Sequence, residues 1–274
     1  MDNIYPILIE SEVETMENAN DIRCFYGGVE KDRLYALEII EKLSSAKNIK
    51  SELKTKLYTE LASLLWIVDH KNNKLEGLKS LSTCCLVNPI CRARMMDKES
   101  ICSHCYAANQ QDWQHGLADH HIVNTVILTS VIIPVKVFLH VFKYQICNER
   151  FFRIESFGDV SNVIQCKNYI NLCRAFPKTS FAAWTKNDRI WQKAFAESGK
   201  PRNLVYIVSS DHVNEAAANI PENADHVFTV FDKNADVNIT CGGKKCMECI
   251  LAGRRCYFRC KRGSEDFMVN ERLK

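Results

Sequence analysis

A chain of 274 residues, 46% hydrophobic and 25% charged, has ordinary globular composition and length enough for one large domain, which excludes a disordered or fibrous protein. Its net charge of +3 is too small to argue for nucleic-acid binding by itself. The acidic start "MDNIYPILIESEVETMEN" has no basic segment leading into an apolar run, so no secretory signal is expected. Fourteen cysteines in such a chain point to a reducing cytoplasm, where grouped thiols mean metal or redox chemistry more often than disulfides.

In chain order, residues 1–20 read as irregular. Val29–Ala46 and Ile49–Asn73 carry apolar residues at helical spacing (Leu34, Leu37, Ile40, Leu43, then Leu53, Leu57, Leu61, Leu64, Val68), which predicts an amphipathic pair without chemistry of its own. "KSLST" (Lys79–Thr83) is a short strand leading into cysteines. The apolar run Ile122–Phe142 is interrupted by Asn124, Pro134, Lys136 and His140, so it reads as buried helix rather than a membrane span. Then strand and helix alternate. "FFRIESFGD" (Phe151–Asp159) is a strand with a glycine turn, Val163–Ala175 a helix, "SFAAWTKN" (Ser180–Asn187) a strand and Arg189–Ser198 a helix. "NLVYIVSSD" (Asn203–Asp211) is a strand, Asn214–Asn219 a helix and "HVFTVFD" (His226–Asp232) a strand. Such alternation predicts an α/β fold, a partial (β/α) barrel or open parallel sheet. The expected divisions are an N-terminal helical extension over 1–78, an α/β core over 79–240 and a cysteine-rich basic segment over 241–274. In either sheet type functional residues gather at the carboxyl ends of the strands.

The cysteines fall into two groups. Cys84, Cys85, Cys91, Cys102 and Cys105 follow the first predicted strand, the last three spaced C-x10-C-x2-C. Cys241, Cys246, Cys249, Cys256 and Cys260 are spaced C-x4-C-x2-C-x6-C-x3-C. A C-x2-C pair lets two thiolates grip one centre from a tight turn, as zinc knuckles and iron–sulfur loops both do. The iron–sulfur reading takes Cys91, Cys102 and Cys105 as a three-cysteine site that leaves one iron open to substrate. Cys241, Cys246, Cys249 and Cys256 then close an auxiliary centre. His104 is a further candidate ligand, and "HGLADHH" (His115–His121) is either a second metal site or a polar helix start. Cys24, Cys147, Cys166 and Cys173 stand alone and read as packing residues. From Cys241 to Lys274 nine basic residues face four acidic ones, which reads as a solvated tail or a contact for nucleic acid.

"ICSHCYA", "FRIESFGD", "FAAWTK" and the final cysteine group, in that order over roughly Ser80–Cys260, resemble the bacteriophage "gene product 88" family. The layout is more distantly similar to radical S-adenosylmethionine enzymes. That likeness implies a [4Fe–4S] cluster on Cys91, Cys102 and Cys105, with Glu155, Ser156, Gly158 and Asp159 where the S-adenosylmethionine amino group is held. Glu155 and Asp159 are then the candidate catalytic residues and Ser156 and Gly158 the candidate cofactor contacts. The expected function is an iron–sulfur protein of the host-cell cytoplasm with redox or radical-type activity, an unknown substrate, an electron donor and no membrane. The alternative is a non-enzymatic module, stapled by zinc or a cluster, that binds nucleic acid or a protein through its basic C-terminus.

Overall fold

The computed structural model describes residues 30–45, 49–242, 245–254 and 256–273. Cys24 and the expected irregular start lie outside them. Helices α1 (Glu30–Ser45) and α2 (Ser51–Ser63) come first, α1 with Glu30 and Asp32 in its first turn and Lys42 in its last, as the helix dipole favours. Strand β1 (Ile67–Asp69) runs antiparallel to β2 (Lys79–Leu81). Helix α3 (Pro89–Met96) starts with Pro89 at a first-turn position, and the Asn88 side chain accepts from the Ile90 and Cys91 amides. A 3-10 turn (Ile101–His104) leads into α4 (Tyr106–Trp113), α5 (His115–Ser130) and α6 (Val135–Ile146). Strands and helices then alternate: β3 (Phe151–Ile154), α7 (Val163–Ala175), β4 (Ser180–Thr185), α8 (Asp188–Ser198) and β5 (Leu204–Ser209). β6 (His226–Phe231), α9 (Cys246–Leu251) and β7 (Met268–Arg272) complete the chain.

The seven strands form one sheet in sequential order, and β2 through β7 are all parallel. A doubly wound sheet needs a reversal of strand order, and none occurs, so same-handed crossovers place the intervening helices on one face. The burial pattern agrees. Phe152, Ile154, Phe181, Ala183, Leu204 and Tyr206 pack with the helices, α1 and α2 included. The alternate residues Phe151, Ala182, Val205 and Ile207 pack instead with Ile250 and Tyr257 of the cysteine-rich segment.

The sheet is also curled. Flat, five strand spacings of about 4.8 Å would put β2 and β7 about 24 Å apart. Yet Lys74, just before β2, pairs with Glu271 on β7 at 2.5 Å, and the Cys246 amide donates to the Lys74 carbonyl at 2.8 Å. Lys245 pairs with Glu76 at 2.9 Å beside them. The cysteine-rich segment therefore bridges the seam of a partial barrel.

Two expected elements differ. The helix over Ile49–Asn73 stops at Ser63, because the Asn124 side chain on α5 takes the Trp66 amide and carbonyl and the β-branched Ile67 and Val68 pair with β2. Asn214–Asn219 is not helical: the Asn214 amide donates to the Val230 carbonyl, and Asn214 sits at φ 65°. The apolar run divides at Pro134, where Asn168 on α7 receives the Ile133 amide and donates to the Leu128 and Val131 carbonyls left open at the end of α5. No helix of the described residues is long and apolar enough to cross a membrane.

Candidate functional site

The first cysteine group lies at the carboxyl end of β2. Cys91 is on the first turn of α3, Cys102 on the 3-10 turn, and Cys105 caps the amino end of α4. Burial pushes the Cys91 thiol well up, with Asp159, Glu155, Cys102 and Cys105 adding to it. Cys105 is pulled down to about 6, first by the neighbouring Cys85 thiol and then, against burial, by the Ala108 and Ala107 amides and Lys186, although the Cys85 thiol also reaches Gln111 Oε1 at 2.8 Å. Cys84 is a different kind of thiol: fully buried, it donates to Gln111 at 3.5 Å, and burial lifts it to about 12. Cys85, Cys91, Cys102 and Cys105 thus form one electrostatically connected set.

In metal-free protein at pH 7, iodoacetamide should label Cys105 well before Cys84, with a pH–rate midpoint near 6 that rises in Cys85→Ala. Equal labelling rates at Cys105 and Cys84, followed by peptide mass spectrometry, would contradict this assignment.

The second set is Cys241, Cys246, Cys249 and Cys256. Burial raises Cys246, Arg153 and Lys74 lower it, and Cys241 and Cys249 raise it again. Burial, then Cys246, Cys241 and Cys249, lift Cys256 to about 12. Cys260 stands apart, with Sγ 2.9 Å from the Ser264 hydroxyl. The set is anchored by Ser180 donating to the Tyr257 carbonyl at 2.6 Å, by Arg259 with Asp225 at 3.1 Å and by His226 against the Phe258 carbonyl at 2.8 Å. All described cysteines are free thiols. As they stand, no three His, Cys, Asp or Glu side chains among the described residues close on one point as a metal ion requires.

Glu155 and Asp159 tie the thiol loop to the sheet. Glu155, at φ 52°, accepts from the Thr83 amide and hydroxyl, both at 2.9 Å, from Gln165 at 2.6 Å and from the Tyr169 hydroxyl. Burial raises its carboxyl to about 7, against the pull of those donors. Asp159 accepts from Thr185 at 2.6 Å and from the Lys186 amide at 2.8 Å, while its carbonyl receives Asn88 at 2.7 Å. Ser156 joins a hydroxyl chain with Ser80 at 2.9 Å and Ser82 at 2.8 Å, and His70 meets Ser80 at 2.8 Å. Gly158, at φ 74°, passes so close to Thr83 that a Cβ there would lie 2.9 Å from its carbonyl oxygen.

His104 points to solvent. His120 stacks on Trp66 at 4.7 Å, and buried His121 meets Gln111 at 2.7 Å and Phe157 at 5.1 Å, so these two histidines serve packing in α5. Cys166 and Cys173 are buried in the core as expected, whereas Cys147 is exposed because it follows the last turn of α6. Sequence reasoning missed Gln111, whose Oε1 receives the Cys85 amide at 3.0 Å, and it missed Arg153. The signal for Arg153 was legible: a charge in "FFRI", at the position that alternates away from the helix-covered face.

Fold and site together define an α/β protein with a curled, mostly parallel sheet that carries one thiol group at the carboxyl end of β2 and a second across its seam. The chain belongs to the gene product 88 family, whose sequence model matches residues 41–266. No curated protein and no solved structure matches it.

Proposed function

We propose that this protein is an iron–sulfur protein with a substrate-accessible centre on Cys91, Cys102 and Cys105 and an auxiliary centre on Cys241, Cys246, Cys249 and Cys256. The observation that carries this reading is that the thiols sort into two mutually interacting sets, one at the open mouth of the partial barrel and one across its seam. A single zinc ion needs its sulfurs all about 2.3 Å from one point, whereas a cluster spreads its ligands over several irons. Loosely grouped thiols fit the second donor arrangement better. Lys186 beside Cys105, and Lys74 beside Cys246, supply the positive charge that an anionic cluster needs.

When bound, such a cluster supplies one-electron chemistry. In this reading Glu155 and Asp159 hold the thiol loop in place rather than touch a substrate, since each carboxylate is already occupied by donors from the chain. Radical S-adenosylmethionine chemistry is the narrower form of the proposal. Six consecutive parallel strands favour it; the C-x10-C-x2-C spacing, in place of C-x3-C-x2-C, counts against it. Formation of 5′-deoxyadenosine from S-adenosylmethionine under reducing conditions is its separate test.

Anaerobically purified protein should be brown and contain iron and sulfide, and Cys102→Ala/Cys105→Ala should lose part of the iron and its visible absorption. Colourless, zinc-loaded protein would sink the proposal. One observation favours a structural role for the second set: it bridges the seam, where a metal staple would hold the barrel closed. The nucleic-acid alternative is weakened because Lys245, Arg259 and Arg272 already engage Glu76, Asp225 and the Asp232 carbonyl.

A further inference from the structure

The inner face of the sheet carries a cation without a matching anion. Arg153, which follows Phe151 on the inward face of β3, lies with its guanidinium 3.3 Å from the centroid of the Trp184 ring. No carboxylate among the described residues forms an ion pair with it, and its Nε reaches only the Glu155 carbonyl, at 3.5 Å. Beside it the Tyr257 side chain is fully buried, with Arg153 close enough to act on its hydroxyl oxygen, while the phenol's own proton has no acceptor among the described residues. Tyr257 is held there by Trp184 at 5.6 Å and Phe151 at 5.9 Å between ring centroids. A phenol and a guanidinium are both donors, and leaving them unmatched inside a protein is costly. Arg153 is itself only partly buried, so solvent reaches it, and toward the mouth the Tyr106 hydroxyl donates to the Ser156 carbonyl at 3.0 Å.

We infer that Arg153 and Tyr257 form a binding site for an anionic oxygen group, a carboxylate or a phosphate, of a small molecule entering the barrel mouth. Arg153 supplies the charge and a planar pair of donors, Trp184 holds it in place by stacking, and the Tyr257 hydroxyl gives one further hydrogen bond. Lys186 at the mouth draws anions toward the site. The inference names the substrate class of the centre proposed above and rests on that reading only in calling the ligand a substrate. The rival role for Arg153 is as the counter-ion of Cys246 and Cys256.

The test is titration calorimetry of the full chain with inorganic phosphate and, separately, with malonate, at constant ionic strength. Saturable binding of either is expected, weakened at least tenfold in Arg153→Gln and severalfold in Tyr257→Phe, with circular dichroism unchanged in the latter. Phosphate binding alone assigns a phosphate-bearing ligand, and malonate binding alone a carboxylate. Neither probe binding, or equal affinity in Tyr257→Phe and the unmodified protein, would overturn the inference. Altered alkylation of Cys246 and Cys256 in Arg153→Gln without any anion binding would establish the counter-ion role instead. Iron content read on the same preparation separates the two readings. Iron-free protein that binds malonate sinks only the cluster, and iron-loaded protein that binds neither anion sinks only this site.

Discussion

Glu155→Leu should destabilise the protein by about 3–5 kcal/mol, because it strips a shared acceptor from four buried donors. Leucine leaves the Thr83 amide and hydroxyl, Gln165 and Tyr169 with nothing to bond, and water cannot reach them. Glu155→Gln is the informative companion. Its oxygen can keep the three bonds at the Oε1 position, while its amide turns toward the Thr83 N–H, so a smaller loss of about 1–3 kcal/mol is expected. The carboxyl also makes stability depend on pH. Burial raises it from 4.5 to about 7, so between those values the folded chain holds a proton that the unfolded chain has released. The Glu155 contribution to stability therefore falls as pH rises through that window, by on the order of 3 kcal/mol. Partly buried His70 and buried His121, held below their usual range, act in the opposite direction, so the unmodified protein should lose stability relative to Glu155→Gln as pH rises. Urea denaturation at several pH values reads both effects. A stability difference between the unmodified protein and Glu155→Gln that stays constant from pH 4.5 to 7 would show that Glu155 is ionised throughout.

Gly158→Ala is the second large effect, expected to cost about 2–5 kcal/mol. Two terms add: a left-handed backbone at φ 74°, which an L side chain resists, and a Cβ 2.9 Å from the Thr83 carbonyl oxygen and 3.2 Å from Glu155 Oε2. The closest atom belongs to the backbone, so no rotamer change relieves the contact. Because Thr83 leads directly into Cys84 and Cys85, the same substitution should disturb the thiol loop and speed alkylation of Cys85. Gly116→Ala on α5 is the control, since nothing lies within 4 Å of its Cβ. It should be neutral or stabilising by up to about 1 kcal/mol. Equal denaturation midpoints for the two variants would refute the packing argument.

The α/β alternation was legible because hydrophobic period switches between helix and strand within short, well-punctuated segments. Val163–Ala175 is helical over the expected residues, and β3 to β6 fall inside the expected strands. β1 and β7 were not legible, because three and five residues of edge strand owe their conformation to the partner they pair with. The two cysteine groups were also visible as spacing, but membership was not. Cys85 joins the first set through its interaction with Cys105, and Cys260 leaves the second, which only the tertiary packing decides.

What the sequence determined by itself was local: helix and strand periods, the breaks at Pro134 and Gly158, and the crowding of thiols after one strand and near the chain end. Which face each strand turns to the helices, the closing of the barrel seam by Lys74 and Glu271, and the meeting of Arg153, Trp184 and Tyr257 were decided by the tertiary structure. The reason is physical. Those contacts join residues from about 30 to nearly 200 positions apart, and the short-range periodicity of a chain carries no information about which distant surfaces will bury one another.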